Sequence, residues 1–478
     1  YDDQDVLPDT DPMTLDLIRS ERDGLGGTDI ISGTTGDDVL IGGTGGDEMY
    51  GDDILALSED DDGEDIMLGD NADIFLIGTV GRLKVQVAEM PAGTAVDLIT
   101  TSDRIDPTDP DHDTAAEVED DGGADTMSGN AGNDIMFGGV NNGGHDVMYG
   151  DRSSPTPITI GDDGDDILLG DNGLLDFTYD PADYPQDDQD AVPDTDRMTL
   201  DLIRSSEDGL GGDDTISGNR GLDVAIGGTG GDTIYGDNAG ASAEASDLAD
   251  LLLGDNADIF LVSVGEASGG DLKTVLDAAV RTIRTTDDEH PEYGGSDTIS
   301  GNAKGDIIAG GVFGDTLYGD RSIPNSTTIA NEGDDIILGD NGAFEWLSSG
   351  RMGEITGIDI EANNPALWAK YGAGNPDADL TTLDLVTTEQ PNSGGRDTIY
   401  GDQGRDFVFG GTDSDTIYGD DGTRDEITGS TNNDLLFGDH GRIYPQFSTL
   451  RAEGQDWRDA FNSRNFFAID TGDTLGGE

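Results

Sequence analysis

The chain has 478 residues, of which 104 are acidic and 23 basic, for a formal net charge of −81. It has no cysteine, which excludes disulfides and thiolate-held zinc or iron–sulfur sites, and its charge makes nucleic acid and anionic lipid surfaces poor partners. No apolar run approaches the roughly 18–20 residues that a membrane-spanning helix needs. Asp outnumbers Glu by about four to one, a skew toward turns and metal ligation and away from helices. With 33% hydrophobic residues, such a chain is expected to stay expanded without counterions.

In chain order, residues 1–23 read as an incomplete connector that closes on the strand Leu15–Ser20. Residues 24–121 form a first module. It opens on Gly26-Gly27, carries Asp29, Asp38 and Asp47 at a spacing of nine, then Asp65, and exits through Gly69-Asp70-Asn71. Strands are expected at Ile74–Ile77, Arg82–Ala88 and Asp97–Thr101. Residues 122–208 repeat this plan with Asp125, Asp134, Asp146 and Asp166, the exit Gly170-Asp171-Asn172, and strands at Leu174–Phe177 and Leu200–Ser205. Residues 209–293 carry Asp214, Asp223, Asp232 and Asp250, the exit Gly254-Asp255-Asn256, and strands at Ile259–Val262 and Val280–Thr285. Asp271–Arg284 also suits a short helix.

Residues 294–393 carry Asp297, Asp306, Asp315 and Asp335 and exit at Gly339-Asp340-Asn341, with Lys304 and Phe313 standing where the pattern asks for glycine. Ala343–Trp346 and Leu383–Thr388 read as strands and Asn364–Tyr371 as a short helix. Residues 394–478 carry Asp397, Asp406, Asp415, Asp425 and Asp434, with Asp413 in a glycine place, the exit Gly438-Asp439-His440, a strand at Arg442–Tyr444 and an incomplete connector. The first and last stretches read as unfinished connectors, which suits either an excerpt of a longer repeat protein or copies that join head to tail.

The physical unit is nine residues. Six make a glycine-rich turn ending in Asp, and three make a strand with an apolar centre, as in Gly227–Tyr235 and Gly42–Tyr50. Glycine supplies the positive φ such turns need. Strands this short gain stability only by stacking, coil on coil. Stacking sets the turn carboxylates in rows about 4.8 Å apart, and such rows repel themselves unless a cation lies between them. Carboxylate and carbonyl oxygens in that number suit Ca²⁺ better than Mg²⁺. The turn aspartates named above are therefore the expected calcium ligands. The aspartates of Gly-Asp pairs add further oxygens: Asp52, Asp151, Asp237, Asp320 and Asp420, with the exit residues Asp70, Asp171, Asp255, Asp340 and Asp439. The expected fold is all-β: tandem short parallel β-rolls, a calcium-binding β-solenoid, joined by β-rich connectors whose two recurring strands pair.

These residues resemble the RTX, or haemolysin-type, calcium-binding nonapeptide GGxGxDxUx, with U a large apolar residue. The resemblance implies several bound Ca²⁺, an extracellular or cell-surface life and type I secretion. No HExxH, GxSxG or GxxxxGK[ST] motif is present, so no enzyme is expected within the chain. The expected role is a secreted structural repeat protein, folded by Ca²⁺ and building a filament, surface layer or adhesin stalk as a head-to-tail homopolymer. One alternative is the secretion and folding segment of an exported enzyme whose catalytic domain lies elsewhere. Another is an adhesin that touches glycans or a cell surface through the connectors, where Trp346, Trp368 and Trp457 lie. Thr follows the turn aspartate at Thr126, Thr215, Thr298 and Thr398, a column expected to be short and interrupted in every module.

Overall fold

The computed structural model describes residues 17–20, 26–52, 63–78, 94–101, 122–140, 144–151, 164–177, 200–206, 209–237, 248–261, 280–286, 290–320, 333–345, 382–383, 385–389, 393–402, 404, 406–419, 434–445, 447–448 and 466–470. Every regular element among them is a strand. Arg82–Ala88, the three tryptophans and the helix expected at Asn364–Tyr371 lie outside the described residues. The other expected helix, Asp271–Arg284, is overturned where it can be followed, because Val280–Thr285 is a strand. Its Val-Arg-Thr-Ile-Arg-Thr sequence alternates and is β-branched, and that pattern prevails over helix periodicity.

The third module shows the plan. Strand Thr215–Ser217 enters an outer parallel sheet and Val224–Ile226 a central parallel sheet. Thr233–Tyr235 returns to the outer sheet and Leu251–Leu253 to the central one. The chain then runs out along Ala257–Leu261 and back along Val280–Thr285, which pair antiparallel in a third sheet. All five modules do the same. Among the described residues the outer and central sheets have ten strands each, and the antiparallel sheet has eleven.

Stacking does not stop at module boundaries. Thr233–Tyr235 pairs in register with Thr298–Ser300 of the next module, and Leu251–Leu253 pairs with Ile307–Ala309. The short rolls therefore stack coaxially into one solenoid, and the connector strands merge into a continuous third layer.

The triplets explain the layers. Central-sheet strands are apolar throughout, as in Ile66-Met-Leu68, Ile167-Leu-Leu169 and Phe407-Val-Phe409, and all three positions are buried. In most outer-sheet strands the middle residue is the buried apolar one, as in Thr233-Ile-Tyr235, and even where the first residue is apolar, as at Val147, it is only half-buried. Successive side chains of a strand point to opposite faces. The middle residues of both parallel sheets meet in one core: Met127, Met148, Ile216 and Ile234 against Met136, Leu168, Ala225 and Leu252. The flanking residues of the central sheet form a second core with Ile74, Ile99, Leu175, Ile203, Ile259 and Phe344 of the antiparallel sheet. A sheet buried on both faces reads as a continuous apolar run. Each fully buried aliphatic side chain contributes about 1.5–3 kcal/mol relative to exposure.

The turns place non-glycine residues at positive φ where the pattern asks for glycine: Lys304 at 81°, Phe313 at 69° and Asp413 at 75°. Phe313 is also 47% exposed, so its ring offsets little of that cost. A left-handed L-residue costs about 1–2 kcal/mol. Phe313→Gly should therefore raise the stability of the calcium-loaded chain by about 1 kcal/mol, seen as a higher chemical-denaturation midpoint. An unchanged or lower midpoint would show that the aromatic ring carries the turn.

Candidate metal centres

Each strand of the two parallel sheets is entered through an aspartate, and these aspartates are bonded from coil to coil. Along the outer sheet the backbone N–H of each donates to Oδ1 of the next, in the order Asp29, Asp47, Asp125, Asp146, Asp214, Asp232, Asp297, Asp315, Asp397, Asp415, at 2.5–3.1 Å. Along the central sheet the order is Asp38, Asp65, Asp134, Asp166, Asp223, Asp250, Asp306, Asp335, Asp406, Asp434, at 2.8–3.3 Å. Two unbroken carboxylate ladders result.

From the second rung on, one oxygen of each aspartate is thus occupied by the fold. The other is aimed into a cradle. In Asp47, Asp65, Asp125, Asp134, Asp146, Asp223, Asp232, Asp250, Asp306, Asp315, Asp335, Asp397, Asp406 and Asp415, Oδ2 is buried and accepts no hydrogen bond. It faces the glycine that follows the preceding strand and the carbonyl of the glycine stacked next to it. A Cβ built on Gly401 would lie 2.5 Å from Asp406 Oδ2 and 2.6 Å from the Gly419 carbonyl oxygen. The same meeting recurs at Gly51 with Asp65 Oδ2 and the Gly129 carbonyl, and at Gly218 with Asp223 Oδ2 and the Gly236 carbonyl. Glycine is required at these places because a side chain would fill the space between hard oxygen donors. A buried carboxylate oxygen left unbonded is costly, and a divalent cation between carboxylate and carbonyl oxygens removes that cost. The residues present fit Ca²⁺.

The exit aspartates have a different geometry. Asp171 accepts the N–H of Gly212 at Oδ1 (3.1 Å) and of Thr229 at Oδ2 (2.5 Å). Asp255 accepts from Gly295 (2.8 Å) and Val312 (2.5 Å), Asp340 from Gly395 (2.8 Å) and Thr412, and Asp70 from Val140 (2.6 Å). Each reaches into the following module, and Asp171, Asp255 and Asp340 each fasten two of its turns. Asp439, at the equivalent place in the fifth module, is exposed. Asp52, Asp151, Asp237 and Asp320 are buried beside the outer-sheet turns, and Asp29 is exposed at the first rung. Asp420 and Asp425 lie outside the described residues.

Asp402, Asp165 and Asp334 were not among the expected residues, yet all three are buried. Asp402 follows Gly401 in the same Gly-Asp pairing as Asp52, a signal already present in the sequence. Asp165 precedes Asp166, and its Oδ1 accepts the Leu222 N–H (2.7 Å). Asp-Asp doublets mark such positions.

Burial, and then the charge of neighbouring rungs, hold the ladder carboxyls well above the usual carboxylate range, as at Asp134, Asp223, Asp232 and Asp335. Asp65, Asp125 and Asp397 are pushed up to about 8, with burial the largest cause in each. The folded, metal-free stack therefore holds protons that an unfolded chain releases near pH 4. Its stability is greatest below that value and is lost as pH rises through about 8. In chelator, acidification should restore β-sheet circular dichroism that is absent at pH 8–9. In calcium, acidification should weaken metal binding, because ligands must be deprotonated. Metal-free β-content that grew with rising pH would contradict this assignment.

The family model of the RTX calcium-binding nonapeptide repeat matches the chain at four places, residues 23–53, 117–143, 208–239 and 392–424. The chain thus carries four copies of the RTX repeat. The RTX nonapeptide is a calcium-binding repeat, in keeping with the oxygen donors that converge in each cradle. The four matches omit the fourth module, where Lys304 and Phe313 depart from the glycine pattern, although both ladders pass through it without a break. Among curated proteins no match to the chain is found.

Proposed function

We propose that this chain is an exported structural protein, a calcium-dependent rod that builds an extracellular filament, surface layer or adhesin stalk and carries no catalytic site. The observation that supports this is the passage of both aspartate ladders through all five modules. A segment needing only to fold on export requires no such length or repeated connectors. In this reading the ladder aspartates bind Ca²⁺ through Oδ2, the facing glycine carbonyls complete the shells, and Asp52, Asp151, Asp237 and Asp320 add negative charge beside them. Contact with a cell surface or its glycans falls to the connectors. Copies join head to tail by the pairing that joins coils.

The test is equilibrium dialysis with calcium, followed by electron microscopy. Several ions should bind per chain, Asp223→Ala should lower that number, and calcium should produce threads with a repeat along their length. Absence of calcium uptake would sink the metal assignment. Uptake with monomeric particles at high calcium would sink the filament.

A further inference from the structure

The outer face of the outer sheet supplies an inference independent of calcium. Val147 separates Thr126 from the rest of the turn threonines, but from Thr215 onward they form a continuous column, because stacking brings the third, fourth and fifth modules into register. Thr215 pairs with Thr233, Thr233 with Thr298, Thr298 with Thr316, Thr316 with Thr398, and Thr398 with Thr416. Six threonines therefore run for about 24 Å at the strand spacing of about 4.8 Å. They are exposed or half-buried. Beside them Tyr318, Tyr400 and Tyr418 stack, with ring centroids 5.1 and 5.0 Å apart. The rings cover one another's faces: Tyr318 is buried, Tyr400 is half-buried and Tyr418 is exposed. Ser217, which shares the tyrosine column, is buried and donates inward to the Asp237 carbonyl (2.7 Å).

Charge singles this face out. In a chain of net charge −81, no outward position of the outer sheet from Val147 to Tyr418 is charged. A polyanion would be repelled by the whole molecule, a polycation would favour the acidic turns over this stripe, and a second copy would bring the same negative surplus to the contact. A neutral chain of hydroxyls meets none of these penalties. Thr and Tyr hydroxyls both donate and accept, as sugar hydroxyls do, and a straight polymer can meet successive coils with successive residues.

We propose that the threonine–tyrosine stripe of the outer sheet is a docking face for an extended neutral polysaccharide. The proposal needs only the fold, so it stands or falls separately from the structural role and from any glycan contact through connectors. It is tested by co-sedimentation of the full calcium-loaded chain with microcrystalline cellulose and with chitin, beside soluble alginate as an anionic competitor. Thr233→Val, Thr316→Val and Thr398→Val together should weaken binding at least roughly tenfold, since each removes a hydrogen-bonding group, and Tyr400→Phe should weaken it less. Valine keeps the strand preference, and calcium-dependent circular dichroism checks that the variant folds. Thr298→Lys, at an exposed position, is a second variant that blocks the stripe without touching the core. Binding should survive a rise in salt from about 0.05 to about 0.5 M, because no charge is involved.

Failure to sediment with either polymer overturns the proposal. So does binding that all the variants retain, which would place the contact elsewhere. Competition by alginate, or loss of binding at high salt, would show an electrostatic contact and overturn it as well. If the variants abolish self-association in place of polymer binding, the stripe is an interface between copies.

Discussion

At pH 8–9, excess chelator should abolish the β-sheet circular dichroism of the whole chain in one transition, without module-by-module steps. Two ladders of ten aspartates run along the stack, each rung about one strand spacing from the next. Unit charges about 4.8 Å apart repel by roughly 3–4 kcal/mol at an effective dielectric constant near 20. Summed along either ladder, that exceeds the 5–15 kcal/mol of stability typical of a folded domain. Ca²⁺ reverses the sign of the local field, so binding and folding are one equilibrium. The transition should be single because every boundary between modules is crossed by in-register strands of both parallel sheets, and neighbour coupling of this kind propagates order and its loss. Unchanged circular dichroism in chelator would refute the calcium assignment. Several resolved transitions would show that modules fold independently despite the continuous sheets.

Gly218→Ala is expected to damage both packing and calcium binding. Its Cβ would collide with Asp223 Oδ2 and the Gly236 carbonyl oxygen at the same time. Crowding of a packed interior costs about 1–3 kcal/mol, and here the crowded volume is also where two donors converge. Calcium stoichiometry should fall and the denaturation midpoint in calcium should drop. Gly438→Ala is the control, since a Cβ there meets nothing within 4 Å. Equal behaviour of the two variants would mean that the glycines serve turn conformation alone and that the cradle is not a binding site.

The ladder was legible in the sequence because its two determinants are local. Gly227 and Asp232 stand five residues apart in one turn, and the spacing of nine then fixes which aspartates stack. The pairing of the recurring connector strands was legible for the same reason: Ile259 and Ile283 sit in matching apolar strands that come back to back. Coaxial stacking was not. Tyr50 and Ser128 are neighbours in the outer sheet, yet a connector separates them and nothing local records the contact. The division into outer and central sheets was written in the triplets, Thr-Met-Ser against Ile-Met-Phe, but both kinds share an apolar middle and the rest of the pattern passed unread. The exit aspartates look like any other Gly-Asp pair, and only the reach of Asp171 to Gly212 and Thr229 reveals them as fasteners.

Gly69 and Asp125 meet across a connector in the way that Gly218 and Asp223 meet within a single turn. The closure is indifferent to what lies between. Loop-closure entropy grows only logarithmically with length, so lengthening such a turn by an order of magnitude costs about 2 kcal/mol. Each connector is thus a cassette held at both ends by the same clasp. Its contents can be lengthened, shortened or exchanged while the rod beneath keeps its register, which makes the chain a scaffold for whatever a lineage, or a protein engineer, chooses to mount on it.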